Sequence, residues 1–290
     1  MSDFVMAVEE QPAGVVGFLR ASLAAAWLEF KALSVFPSNL WLAAAQELTT
    51  VGVWYFVAAF LSVAANGVVA DYGGNYVAYV LAGVLLNQVG LTALLSPFTT
   101  ISQAFWDKRL ETYRLAVQGI WANVIGRLGW QVLFSSVLQV LAAIALVAFG
   151  ALHLAHHVDW SGVALVWLLL VAANAGLGLM GASLFFLLEV KNGEDPITWT
   201  YRYLVQIVSG LYVPLVVLPG WLRAVSYALP QTYAFEALRL LALQGAATGA
   251  LPGAMTGLGL GAGAALLLGI VMLRWALIRA ERLSGLGVVV

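Results

Sequence analysis

Apolar residues in this 290-residue chain gather into runs near twenty long. A helix rising about 1.5 Å per residue needs about that length to cross roughly 30 Å of hydrocarbon. The runs predict spans over about residues 42–65, 76–102, 128–152, 163–188, 199–218 and 251–277. Residues 14–36 read differently. Leu19, Leu23, Trp27, Phe30 and Leu33 recur at helical spacing while Arg20, Glu29 and Lys31 interrupt them, the pattern of an amphipathic helix lying in an interface. Pro37 and the capping residues Ser38 and Asn39 predict a break before the first span.

Residues 219–245 are too polar and too proline-broken to span. Pro219, Gly220, Arg223, Pro230 and Gln231 fall there, with room for two short helices. Such backbone survives at membrane depth only where protein or water satisfies it, so a re-entrant hairpin is the economical expectation. The predicted fold is thus all-α and integral to a membrane. It has six transmembrane helices, an N-terminal interfacial amphipathic helix and an extracellular re-entrant hairpin before the last span. The predicted division is residues 1–38 as cytoplasmic N-terminus and amphipathic helix, 39–278 as the membrane domain and 279–290 as a cytoplasmic tail.

Composition makes the bilayer necessary. With 62% hydrophobic residues, 9% charged and a mean hydropathy of +0.94, a water-soluble domain would leave apolar surface uncovered. The acidic N-terminus, with Asp3, Glu9 and Glu10, lacks the basic start of a secretory signal, so no cleaved leader is expected. The absence of Cys excludes disulfides, thiolate metal sites and thiol catalysis. Charge placement sets the orientation: six spans leave only Arg223 and Arg239 among the basic residues on one face. The positive-inside bias then predicts both termini in the cytoplasm and the hairpin facing outward.

Candidate chemistry is sparse. Gly176, Gly178 and Gly181 match a dinucleotide fingerprint, but that motif works between a strand and a helix, and here it falls mid-span, so helix packing is expected. Gly253, Gly257 and Gly261, four apart in the last span, offer a strip for close helix approach. His153, His156 and His157 with Asp159 have metal-like spacing but sit at the outer end of a span, where His is ordinary; no metal is expected. Ser183 follows Gly181 as in intramembrane serine proteases, yet no His follows His157 to serve as its base. Glu47 is the acidic residue most exposed to membrane depth, or else an interfacial anchor. None of the lysines, Lys31, Lys108 and Lys191, belongs to a phosphate-cradling P-loop. No catalytic residue, resident cofactor or nucleic-acid partner is expected.

The stretch of residues 107–121 combines Asp107, Lys108, Arg109, Glu111 and Arg114 with Leu110 and Tyr113, suiting a short interfacial helix on the cytoplasmic face. The order of parts, with Ser209-Gly210-Leu211-Tyr212-Val213-Pro214, Leu218-Pro219-Gly220-Trp221-Leu222, Tyr227-Ala228-Leu229-Pro230 and Thr232-Tyr233-Ala234-Phe235-Glu236-Ala237-Leu238-Arg239, resembles the type-2 ABC exporter permeases of bacterial drug, polysaccharide and lipid export. Two positions depart from that family. Gln231 replaces an apolar residue after the second proline, and Arg109-Leu110-Glu111-Thr112 replaces the usual Gly-Thr-Leu-Glu.

The resemblance implies a permease subunit in the inner (plasma) membrane, dimeric with a second copy or a related chain. Two cytoplasmic ABC ATPase subunits would supply ATP and magnesium chemistry. Asp107, Lys108, Arg109, Leu110, Glu111, Tyr113 and Arg114 would couple to the ATPase. Pro219, Gly220, Pro230, Tyr233 and Arg239 would form the outward hairpin. Trp54, Tyr55, Asn87, Gln88 and Tyr212 are candidates for the translocation path, with Phe56, Tyr201 and Tyr203 nearby in sequence. The alternative is an ATP-independent secondary transporter or channel, against which scarce intramembrane charge and the lack of an internal repeat both weigh.

Overall fold

The structure, a computed structural model, describes residues 14–73, 75–107, 119–187 and 195–283. Every element among them is helical. In chain order they are α1 (Val15–Val35), α2 (Pro37–Ala65), a 3-10 turn (Asn66–Tyr72), α3 (Tyr76–Trp106), α4 (Gly119–Ala148), α5 (Trp160–Leu187), α6 (Pro196–Val208), α7 (Gly220–Tyr227), α8 (Pro230–Leu243) and α9 (Pro252–Leu283), with short 3-10 turns at Leu215–Val217 and Thr248–Ala250. Five of the helices are long and apolar enough to cross a membrane: Ser38–Tyr72, Tyr76–Trp106, Gly119–Ala148, Trp160–Leu187 and Pro252–Ala280.

The break before the first span falls at Pro37 as the sequence predicts, but Ser38 and Asn39 lie inside α2 and do not cap it. Pro37 opens α2, where its missing N–H is one the helix start leaves unpaired anyway. Asn75 caps α3 by accepting from the Ala78 N–H at 3.1 Å. Asp195 caps α6 by accepting from the Thr198 N–H at 2.8 Å, with Pro196 as the first helical residue. α3 is the central post, buried along most of its length and packed on α2, α4, α5 and α8.

α1 lies along the start of α4. Gly126 faces the Ser22 backbone with no room for a Cβ, Arg127 pairs with Glu29 at 2.8 Å, and Phe30 meets Trp130 edge to face at 5.3 Å. α4 therefore starts at Gly119, nine residues before the apolar run suggested, because Gly126 and Arg127 belong to the surface that receives α1.

The glycine patterns resolve into packing. α5 and α9 cross where Gly176 faces the backbone of Ala265 and Leu266, and Gly269 faces the Gly176 carbonyl. Gly178 abuts the Leu94 carbonyl of α3, and Gly181 the Asp195 carboxylate. On α9, Gly257 receives the Tyr233 ring and Gly261 the Pro230 ring, while Gly253 faces open space.

The fifth predicted span differs. α6 stops at Val208 after 13 residues, roughly 20 Å of rise against about 30 Å of hydrocarbon. The remaining residues 209–218, expected to continue the helix, form an irregular stretch that turns into α7.

Candidate functional site

Where α6 ends, a run of backbone carbonyls loses its helical partners. Gly210 sits at φ +78°, a left-handed conformation that lets the chain leave the helix axis. A broken backbone inside an apolar bundle must be satisfied by protein, and side chains from three helices do so. Ser226 Oγ of α7 donates to the Val208 carbonyl at 2.5 Å. Tyr79 Oη of α3 donates to the Gly210 carbonyl at 2.8 Å, and Tyr76 Oη to the Tyr212 carbonyl at 3.0 Å.

The centre of this arrangement is Arg239 of α8, 2% exposed. Its Nη1 donates to the Gly210 carbonyl and its Nη2 to the Leu211 carbonyl, both at 2.8 Å; its Nε donates to the Tyr79 carbonyl at 3.0 Å. The guanidinium carbon lies 3.5 Å from the Tyr79 ring centroid. A planar fork of N–H donors over an aromatic face suits Arg and not Lys, whose ammonium is a point charge. Gly83 makes the space, since a Cβ there would lie 2.6 Å from Nη2.

Arg223 does the same further along. Its Nε donates to the Leu215 carbonyl at 3.1 Å, and its Nη2 to those of Val216 at 2.8 Å and Leu218 at 3.2 Å. Arg223 and Arg239 thus both bind the main chain of the broken segment.

The predicted hairpin residues gather around this break. Pro219 precedes α7, Gly220 begins it, and Pro230 begins α8. Tyr233 Oη donates to the Tyr227 carbonyl at 2.9 Å, tying α8 to the end of α7. Of the predicted path residues, Trp54 and Tyr212 stack at 3.7 Å and pack with Tyr76 and Tyr79. Tyr55 packs in a separate cluster with Val51, Ala78 and Leu81, and Asn87 is buried in α3. Gln88 instead lines a cleft of about 490 Å³ among α1, α2, α3 and α4, together with Glu47. Asp107 directly follows α3. Lys108, Arg109, Leu110, Glu111, Tyr113 and Arg114 lie outside the described residues, and Gly119–Trp121, expected to end the coupling helix, already belong to α4.

No family model matches the chain, and no curated protein matches it. Function therefore rests on the chain's own residues.

Two polar arrangements escaped the sequence reading. Gln231, 1% exposed, donates through Nε2 to Asn174 Oδ1 of α5 at 3.2 Å, which gives the departure from the family pattern a partner. Asp159 ties the start of α5 to the loop before α9. Its Oδ2 accepts from the Thr248 N–H at 2.9 Å and Oγ1 at 2.7 Å; its Oδ1 accepts from Ser161 Oγ at 2.5 Å and the Gly162 N–H at 3.1 Å. The Ser161 hydroxyl, then Thr248 and Gly162, hold the Asp159 carboxyl well below the usual carboxylate range. The Asp-x-Ser spacing before an apolar run was the available signal. His156 and His157 meet ring to ring at 4.7 Å, and among the described residues no three His, Asp or Glu side chains gather as metal ligands.

Proposed function

We propose that this chain is the membrane-spanning permease subunit of a type-2 ATP-binding-cassette exporter, acting as a dimer coupled to separate ATPase subunits. The observation that carries the reading is the helix broken at Gly210, tied by Arg239 and Arg223 and followed by two short helices before the last long one. That order is what the resemblance implies for an outward hairpin. The hairpin motif residues 209–239 have a physical use in it: they end α6, bind its loose carbonyls and start α7 and α8.

On this reading α6 and the broken segment form the fifth of six crossings, α7 and α8 are the re-entrant hairpin, and both termini lie in the cytoplasm at the plasma membrane. The stretch 107–121 docks on the ATPase, which holds the ATP and magnesium that a chain without a P-loop cannot. α2 and α6 keep large apolar side chains exposed, among them Phe56, Phe60, Trp199 and Ile207. Such faces suit a second copy as well as lipid.

The test is transport by the chain reconstituted with its ATPase. Export should require ATP and collapse when Glu111 and Arg114 are both replaced by Ala. Transport persisting without ATP would turn the reading to an ATP-independent transporter or channel.

A further inference from the structure

The cleft among α1, α2, α3 and α4, about 490 Å³, takes in Gln88 of the path candidates, but the exporter reading gives no role to the rest of its wall. Among the described residues its wall carries two carboxyl side chains, Glu29 and Glu47, and no Lys, Arg or His. Glu29 is already paired with Arg127 at 2.8 Å. Glu47 is not: its Oε1 is buried without a hydrogen-bond partner among the described residues. The cleft therefore holds one carboxyl group with no cationic partner on its described wall.

Its depth matters. Glu47 is ten residues into α2 from Pro37, a rise of roughly 15 Å, and its Oε1 is shielded from solvent. There an unpaired charge is costly and a counter-charge correspondingly favourable. An anion would meet the same carboxylate as repulsion.

The rest of the wall suits what such a cation would carry. Trp130 and Phe134 present aromatic faces, which attract cations and cover apolar groups. The amides of Gln46, Gln88 and Gln131 accept or donate without adding charge. The polar strip continues inward along α4, where Gln131, Ser135 and Gln139 recur every four residues on one side. Gln139 is 5% exposed and neither of its side-chain polar atoms has a partner.

We propose that this cleft binds a lipophilic organic monocation, its charged head against Glu47 and its apolar body against Trp130 and Phe134. One charge is the limit, because Arg127 occupies the second carboxylate. The inference does not depend on an ATPase, since binding is read on this chain alone.

Flow dialysis of radiolabelled tetraphenylphosphonium against the chain in phosphatidylcholine nanodiscs, with empty discs subtracted, tests it. Saturable binding of one probe per chain is expected. Loss of a charge-assisted contact predicts that Glu47→Gln weakens binding about tenfold or more, while Glu47→Asp keeps most of it and Phe134→Leu costs several-fold. Dodecylamine should displace the probe and dodecanol should not. Absence of saturable binding, equal affinity in Glu47→Gln, or equal displacement by dodecanol would each overturn the proposal. Because the displacement arm uses the unaltered chain, a variant that fails to fold leaves the proposal testable.

Discussion

Arg239 is a buried cation that binds no carboxylate: it spends its charge on three carbonyl dipoles and one tyrosine face. Removing it would leave the Leu211 carbonyl without that donor in an apolar surrounding. Arg239→Lys keeps the charge and loses the fork, and we expect it to cost about 2–4 kcal/mol in detergent unfolding. Gly83→Ala approaches the same contact from the other side, pressing on Nη2, and should cost about 1–3 kcal/mol. Unfolding curves of both variants that overlay the parent would contradict this account of the break. Asp159 gives a second residue-scale prediction. Its hydrogen bonds lower its folded pKa, so its contribution to stability is present above the unfolded value of about 4 and is lost as pH falls through the folded one. The stability gap between the parent and Asp159→Asn should be constant near neutral pH and shrink only in acid below about pH 4. A gap that shrinks toward alkaline pH would contradict the assignment.

Among the elements, the α5–α9 crossing brings two backbones into close approach, with Gly176 facing Ala265 and Leu266 and Gly269 facing the Gly176 carbonyl. Either Gly176→Leu or Gly269→Leu should separate these helices and sharply reduce the yield of monodisperse protein in size-exclusion chromatography. A normal yield from both would mean the crossing tolerates separation. The long helices were legible in the sequence because an apolar run near twenty residues is a local property. The end of α6 was not: residues 199–218 read as one apolar run, and what ends the helix is nonlocal, since the donors to its carbonyls come from Tyr79, Ser226 and Arg239. Gly210 and Pro214 were visible, but their partners were not. α4 was mistaken at its start for a related reason, since Arg127 looks like a span boundary until Glu29 is brought beside it. At the candidate site the prolines were legible as breaks, Pro219 preceding α7 and Pro230 opening α8. The stacking of Trp54 on Tyr212 and the pairing of Gln231 with Asn174 depend on packing between distant segments and were not.

For the whole molecule, five helices are long and apolar enough to cross a membrane, and the proposed topology adds α6 with the broken segment as a further crossing, which would put Arg223 and Arg239 on the face opposite most basic residues. The chain's lack of Cys makes orientation directly measurable. A single cysteine at exposed His153 should react with a membrane-impermeant maleimide in intact cells, and one at exposed Arg20 only after lysis. The reverse pattern would invert the topology and move residues 107–121 away from any cytoplasmic ATPase. The central claim is that this chain works only as part of an ATP-driven complex. Native mass spectrometry of the chain purified from its own membrane in mild detergent measures that directly. The account predicts a complex of two permease chains with two P-loop ATPase chains, which loses the ATPase but keeps the permease dimer when Glu111 and Arg114 are replaced by Ala. A chain that purifies without any ATPase while its vesicles still transport would contradict it.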